Sequence, residues 1–205
     1  GMKTAWVDAR GMILTNAEYL CGEPDLKAIS ETVPGVIAEA FEGHDAVITQ
    51  GFISSTKNGI TTVLGRGGSD YSASLIGMAI DAEAIEIWTD VDGVLTADPR
   101  MFPGAKRLEK LSFQEAAEMA HFGAKVLHPL TIEPAVKKNI PIYVLNSSNP
   151  DCPGTLILDS EKIEPGVKSV SFKENILVVN IYTTKMINTS GFLGKVFDGF
   201  SRNII

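Results

Sequence analysis

Apolar and polar positions alternate along this chain with two different periods. Short β-like runs at Thr4 to Val7, Asp45 to Thr49, Ala84 to Trp88, Ile140 to Leu145 and Leu156 to Leu158 are separated by stretches whose apolar residues recur every three or four positions. The first rhythm predicts strands and the second predicts amphipathic helices. Pro34 opens a helix through Val36, Ile37, Ala40 and Phe41, since a proline in the first turn gives up an N–H that needs no partner there, and Gly43 ends it. Ser69 or Asp70 caps a second helix whose Ala73, Leu75, Ile76, Ala79 and Ile80 crowd one broad face. Ser112-Phe113-Gln114-Glu115 is a capping box that starts a third, carrying Ala116, Met119 and Ala120 inward until Gly123. A short fourth helix covers Ile132 to Lys138, and Ala84 to Trp88 reads as a buried strand. Strands alternating with helices predict an α/β fold with a mainly parallel sheet between two helical layers.

The pattern changes after Asn146. Asn, Ser, Pro and Gly crowd the stretch to Thr155, and Glu161 to Gly166 is a polar linker. A new apolar strand follows at Asn175 to Tyr182, then an amphipathic helix from Gly191 to Arg202 with Phe192, Val196 and Phe200 at i, i+4 and i+8. One strand and one helix cannot bury both faces, so this piece is expected to be completed by further chain or by another copy. The expected division is a first domain at 2–160, a linker at 161–174 and the start of a second domain at 175–205.

The densest glycine cluster, Gly65-Arg66-Gly67-Gly68-Ser69-Asp70, lies between a strand-like run and a helix. Glycines permit positive φ and close approach of backbone N–H groups. A helix N-terminus beside a planar Arg66 fork makes an anion cradle; the alternative is a plain turn with a surface arginine. The cluster fits neither the P-loop nor the G-x-G-x-x-G pattern. Thr89-Asp90-Val91-Asp92-Gly93 through Asp98-Pro99-Arg100 gathers acids, a hydroxyl and a guanidinium into a candidate polar site, with an Asp92-Gly93 hairpin as the alternative. His128, before Pro129, reads as a hydrogen-bonded structural residue, whereas Lys125 is a candidate cation.

Composition narrows the function classes. A net charge of −7 without a basic, aromatic-interleaved cluster excludes a nucleic-acid surface. Cys21 and Cys152 belong to no C-x-x-C pattern, so free thiols in a reducing, cytoplasmic setting are expected, with no metal site. No apolar run approaches the ~20 residues that span a bilayer, and no signal-peptide core opens the chain. Gly1 before Met2 reads as a residue left by tag cleavage.

Together, Gln50-Gly51-Phe52-Ile53, Leu64-Gly65-Arg66-Gly67-Gly68-Ser69-Asp70, Trp88-Thr89-Asp90-Val91-Asp92-Gly93-Val94, Asp98-Pro99-Arg100, Phe122-Gly123-Ala124-Lys125-Val126-Leu127-His128-Pro129 and Pro153-Gly154-Thr155 resemble the aspartokinases of the amino acid kinase family. The resemblance covers essentially the whole chain. It implies a three-layer α/β/α kinase fold and ATP-dependent phosphorylation of the L-aspartate side-chain carboxylate, the first step toward lysine, threonine and methionine, with Mg²⁺ on the phosphates. It implies that Arg66 clamps the α-carboxylate, that Ser69 and Asp70 lie by the amino group and the reacting end, and that Arg66, Asp70 and Lys125 carry catalysis. Thr89, Asp90, Leu95, Arg100, Lys125 and Val126 would line the nucleotide site, with Leu95 standing where a Tyr is often found. Met186-Ile187-Asn188-Thr189-Ser190-Gly191-Phe192-Leu193 resembles the opening of the first ACT domain of the lysine-sensitive, single-function type. Met186, Thr189, Gly191, Phe192 and Leu193 would then contribute to a lysine effector site in a homo-oligomer paired through ACT domains. A bifunctional aspartokinase fused to homoserine dehydrogenase and a non-catalytic binding module are the alternatives. The Lys-Phe-Gly-Gly-Thr-Ser type segment of the family is not in this sequence, so the chain is expected to be a piece of a longer kinase and not competent alone.

Overall fold

Asp25 decides where the first helix begins. Its Oδ1 accepts the Ala28 N–H at 3.1 Å and caps α1, Leu26–Phe41, whose Ile29, Val33 and Ile37 form one buried stripe. Pro34 therefore lies inside the helix instead of opening it. An interior proline costs about 3 kcal/mol, but each fully buried aliphatic side chain contributes ~1.5–3 kcal/mol, and the three-residue stripe outweighs the defect.

The structure, a computed structural model, describes residues 1–121, 127–159, 166–170, 180–182 and 191–203. It divides into two units, residues 1–173 and 174–205. In the first, β1, Thr4–Val7, pairs in parallel with β3, Ala46–Thr49. β2, Leu14–Thr15, is parallel to β4, Ile53–Thr56, and β5, Thr61–Val63, is antiparallel to β4. A third ladder runs in the order β6, Ile85–Thr89; β8, Ile142–Asn146; β9, Thr155–Leu158; β7, Lys110–Ser112. Its β8–β9 step is antiparallel and its outer pairings are parallel. Parallel pairing prevails among the described strands, as expected. The two antiparallel steps occur where connections are short, because a parallel crossover needs a dozen residues or more.

α2, Gly68–Ala79, is the central helix. Tyr71, Ser72, Ser74, Leu75, Gly77, Met78 and Ala79 are all buried, because α1 packs against it and so does α4, Pro129–Lys138. Its N-cap is Gly67, in the left-handed conformation, instead of Ser69 or Asp70, which fall in the first turn. Ile80, expected on the buried face, is the exposed C-cap. The capping box forms as predicted: Ser112 N–H donates to Glu115 Oε2 at 2.8 Å and Glu115 N–H to Ser112 Oγ at 3.1 Å, starting α3, Phe113–His121. β6 is buried on one face only, since Glu86 and Trp88 are exposed and hydrogen-bond each other at 2.9 Å. That alternation fits a strand with one open face.

Two cores result. Met12, Ile13, Ile29, Val33, Leu64 and Leu75 pack around α1 and α2, while Ile87, Leu111, Ile132, Ile142, Val144 and Ile157 pack around the third ladder. In the unit 174–205 the described helix is α5, Phe192–Asn203, with Phe192, Val196 and Phe200 half-buried and Leu193 and Phe197 exposed. The predicted strand at Asn175 to Tyr182 falls mostly outside the described residues.

Candidate active site

The glycine cluster becomes a turn through its backbone angles. Gly65 and Gly67 have φ of +74° and +72°, a region costly to any residue with a Cβ. Gly68 N–H returns to Gly65 carbonyl at 3.1 Å, and Tyr71 N–H to Gly67 carbonyl at 3.0 Å, which starts α2. The Ser69 and Asp70 N–H groups between them have no backbone or side-chain acceptor among the described residues. Arg66, exposed at the tip of the turn, forms no ion pair or hydrogen bond with any described residue. Amides at a positive dipole end beside a guanidinium are together suited to an anion.

The end of β3 closes against this turn. A Cβ on Gly51 would come within 3.0 Å of Ser69 Cα and Cβ, and one on Gly68 would strike Phe52 Cδ2 at 2.5 Å. Phe52 is itself held at φ +73°, its N–H donating to Ser72 Oγ at 2.9 Å and its carbonyl accepting from Leu64 N–H at 3.0 Å. Strained non-glycine backbone of this kind collects at functional sites. Asp70 is half-buried, and burial pushes its carboxyl above the ordinary 3.8. Arg66, Ser69 and Asp70 are thus brought together with Gly51 and Phe52, of which Phe52 carries a signal that only dihedral angles reveal.

A second polar cluster forms where β6 and β8 end, the edge at which α/β sheets take ligands. Thr89 Oγ1 donates to Asp90 Oδ1 at 3.2 Å, and the Thr89 carbonyl accepts from Ser147 N–H at 2.9 Å and Ser147 Oγ at 3.0 Å. Asp92 Oδ1 accepts Asn146 Nδ2 at 2.7 Å and Asn149 Nδ2 at 3.1 Å. Those amides, Asn146 first, and more weakly the Arg107 charge hold the Asp92 carboxyl below its usual range. The Asp92-Gly93 hairpin does not form. Gly93, at φ +124°, has Thr155 Oγ1 2.5 Å from where a Cβ would stand, so the chain bends under β9 instead.

Beyond Gly93 an arm folds on itself, with an antiparallel bridge between Leu95 and Arg107 and the Arg107 guanidinium on the Gly154 carbonyl. Arg100, 72% exposed, grips Asp98 at 2.6 Å, so its charge is already shared with a carboxylate. Sequence reasoning missed Asn146, Asn149 and Arg107, although the Asn-rich stretch after β8 was a compositional signal. Lys125, Val126, Met186 and Thr189 lie outside the described residues. Gly191, at φ +75°, Phe192 and Leu193 open α5. An apolar groove of about 430 Å³ between α3 and α4, lined by Phe113, Ala117, Ile132 and Val136 among others, contains none of the predicted site residues. Among the described residues no group of three or more ligating side chains could hold a metal ion alone, and no helix is long and apolar enough to cross a membrane.

Known proteins are similar to this chain in sequence and fold. Lysine-sensitive aspartokinase 3 of Escherichia coli is 42% identical over 205 residues, covering 100% of this chain and 45% of its own length. The crystal structure of E. coli aspartokinase III in complex with aspartate and ADP superposes with a TM-score of 0.81 at 38% identity, covering 100% of this chain and 46% of that one. The same enzyme in complex with lysine and aspartate gives 0.72 at 38% identity, over 98% of this chain and 45% of that one. The chain thus spans just under half the length of these relatives. The amino acid kinase family matches residues 1–146, the stretch that carries both clusters as far as the end of β8, and the chain belongs to that family.

Proposed function

We propose that the protein is an aspartate kinase, transferring the γ-phosphoryl group of ATP to the β-carboxylate of L-aspartate. The observation that carries the reading is the turn at Gly65–Asp70, where two amides and Arg66 have no partner among the described residues, in a chain so similar to an aspartokinase crystallised with aspartate and ADP. Arg66 takes the α-carboxylate in a two-point, charge-assisted grip. Ser69 and Asp70 orient the amino group and the reacting end, and Asp70 reaches the substrate's ammonium from a partly desolvated position.

The chemistry asks little more of the protein than alignment and charge, because the nucleophile is a carboxylate already ionised near neutral pH and needs no general base. Thr89, Asp90, Leu95, Arg100, Lys125 and Val126 form the nucleotide side, with Arg100 exchanging Asp98 for phosphate oxygens. Mg²⁺ neutralises phosphate charge when bound. Such an ion needs only one or two carboxylates besides the phosphates, and Asp90 and Asp92, at the end of β6, are suited to supply them. The product is 4-phospho-L-aspartate, the entry to lysine, threonine and methionine synthesis. Met186, Thr189, Gly191, Phe192 and Leu193 belong to a lysine effector site in an ACT-paired homo-oligomer, a reading supported by the relative crystallised with lysine and aspartate.

The test is aspartate-dependent acyl-phosphate formation, trapped with hydroxylamine, in the native gene product containing this chain. Losing a charged hydrogen-bonding partner is worth about 1.5–3 kcal/mol, so Arg66→Gln should raise the KM for aspartate roughly tenfold to a hundredfold. No aspartate-dependent turnover, or an unchanged KM in the variant, overturns the reading.

A further inference from the structure

The two helices that start at the glycine turn have unusual caps, and the caps touch. α2 is capped by Gly67, which has no side chain to offer. α4 is capped by His128, a poorer choice than Ser, Thr, Asp or Asn. A Cβ on Gly67 would lie 2.6 Å from His128 Cβ and 3.2 Å from its Cγ, so the root of the imidazole rests on the bare Cα of the turn. The ring is pinned from its other side, where Nδ1 accepts the Leu130 N–H at 3.3 Å. Leu127 before it and Thr131 after it are buried, which anchors the backbone on either side of His128. α2 and α4 pack together behind the caps.

We propose that His128 is a positioning residue for the amino-acid cradle, acting through Gly67. By filling the space over the Gly67 Cα it holds the left-handed turn that aims Arg66 and the Ser69 and Asp70 amides at one point. Helix capping alone does not call for this side chain, since Asn or Ser would cap α4 as well or better. The inference rests on the reading above, that the cradle receives the amino-acid substrate. It adds a residue that touches neither substrate and yet sets the geometry of one of them.

Three substitutions separate wedge from cap. His128→Asn keeps Cβ, Cγ and a good cap; His128→Ser keeps Cβ and a good cap; His128→Gly keeps neither contact atom but remains an acceptable cap. In steady-state assays of the native gene product, the KM for aspartate should stay within about twofold for Asn, rise for Ser and rise roughly tenfold for Gly, while the KM for ATP and kcat move less than about twofold. Melting temperatures should follow cap strength and backbone freedom, with Asn and Ser near the parent and Gly lower by about 2–4 °C. If His128→Gly fails to fold, the Ser-to-Asn comparison carries the same test. An aspartate KM indifferent to the series, or a KM rising equally for both substrates, overturns this inference and leaves the kinase reading standing. A parent protein that does not turn over aspartate overturns both.

Discussion

Gly67→Ala tests the geometry of the turn without any ligand. Two costs are added by one methyl group. The first is conformational: an L-residue at φ +72° costs roughly 1–2 kcal/mol. The second is steric: the new Cβ would stand 2.6 Å from His128 Cβ, and forced overpacking of this kind costs about 1–3 kcal/mol. Gly43→Ala is the control. Gly43 has nearly the same φ, +75°, but nothing within 4 Å of its would-be Cβ. Both substitutions also stiffen the unfolded chain by the same ~0.4–1 kcal/mol, which cancels in the comparison. The difference between the two variants, about 1–3 kcal/mol, therefore isolates the His128 contact. Urea unfolding followed by tryptophan fluorescence reads the relevant unit, since Trp6 and Trp88 both belong to residues 1–173. With a shared slope, the midpoints convert directly to free energies. In a His128→Gly background the penalty of Gly67→Ala should shrink by more than about 1 kcal/mol, because the two sites share one contact. Equal destabilisation by Gly67→Ala and Gly43→Ala, within about 0.5 kcal/mol, would refute the close approach and the positioning role built on it.

Ser112→Ala removes the acceptor for Glu115 N–H and should cost about 1 kcal/mol in the same urea assay; a change too small to resolve would mean that the capping box contributes nothing. Asp70→Asn should make the protein more stable at pH 7. Burial raises the Asp70 carboxyl above 3.8, so its contribution is fully present below 3.8 and is lost as pH rises through the higher folded value. The advantage of the Asn variant should therefore narrow between pH 7 and pH 4, and a margin that does not change with pH contradicts the burial argument. Under the proposed function the same variant should also bind aspartate less well, since that proposal sets the Asp70 carboxylate against the substrate's ammonium.

The legible parts of this protein are those whose signal is local. The Ser112–Glu115 capping box closes at both hydrogen bonds because its donors and acceptors are three residues apart in sequence. Phe192, Val196 and Phe200 share a half-buried face of α5 because helical periodicity alone puts them there. The α1 start shows how a single cue can mislead. Pro34 marks a helix opening as a local rule, yet Asp25 and the Ile29–Val33–Ile37 stripe carry the helix through it. That stripe was present in the sequence and outranked by the proline. Ser69 and Asp70 are strong capping residues by type, but the cap falls on Gly67 because the chain must pass through a left-handed turn that only glycine enters cheaply.

What the sequence by itself determined was the alternation of strands and helices, the glycine cluster as a candidate anion cradle, and the motifs that resemble the amino acid kinases. These are written in composition and short spacings, so no folding is needed to read them. Only the tertiary structure decided that Phe52 is held at positive φ, that Asp92 is clasped by Asn146 and Asn149, and that His128 rests on Gly67. Each joins residues 20 to 61 positions apart, from Phe52 and Ser72 to Gly67 and His128. Their partners are chosen by how helices and strands pack, and packing at near-crystalline density admits such neighbours only once the whole core is in place.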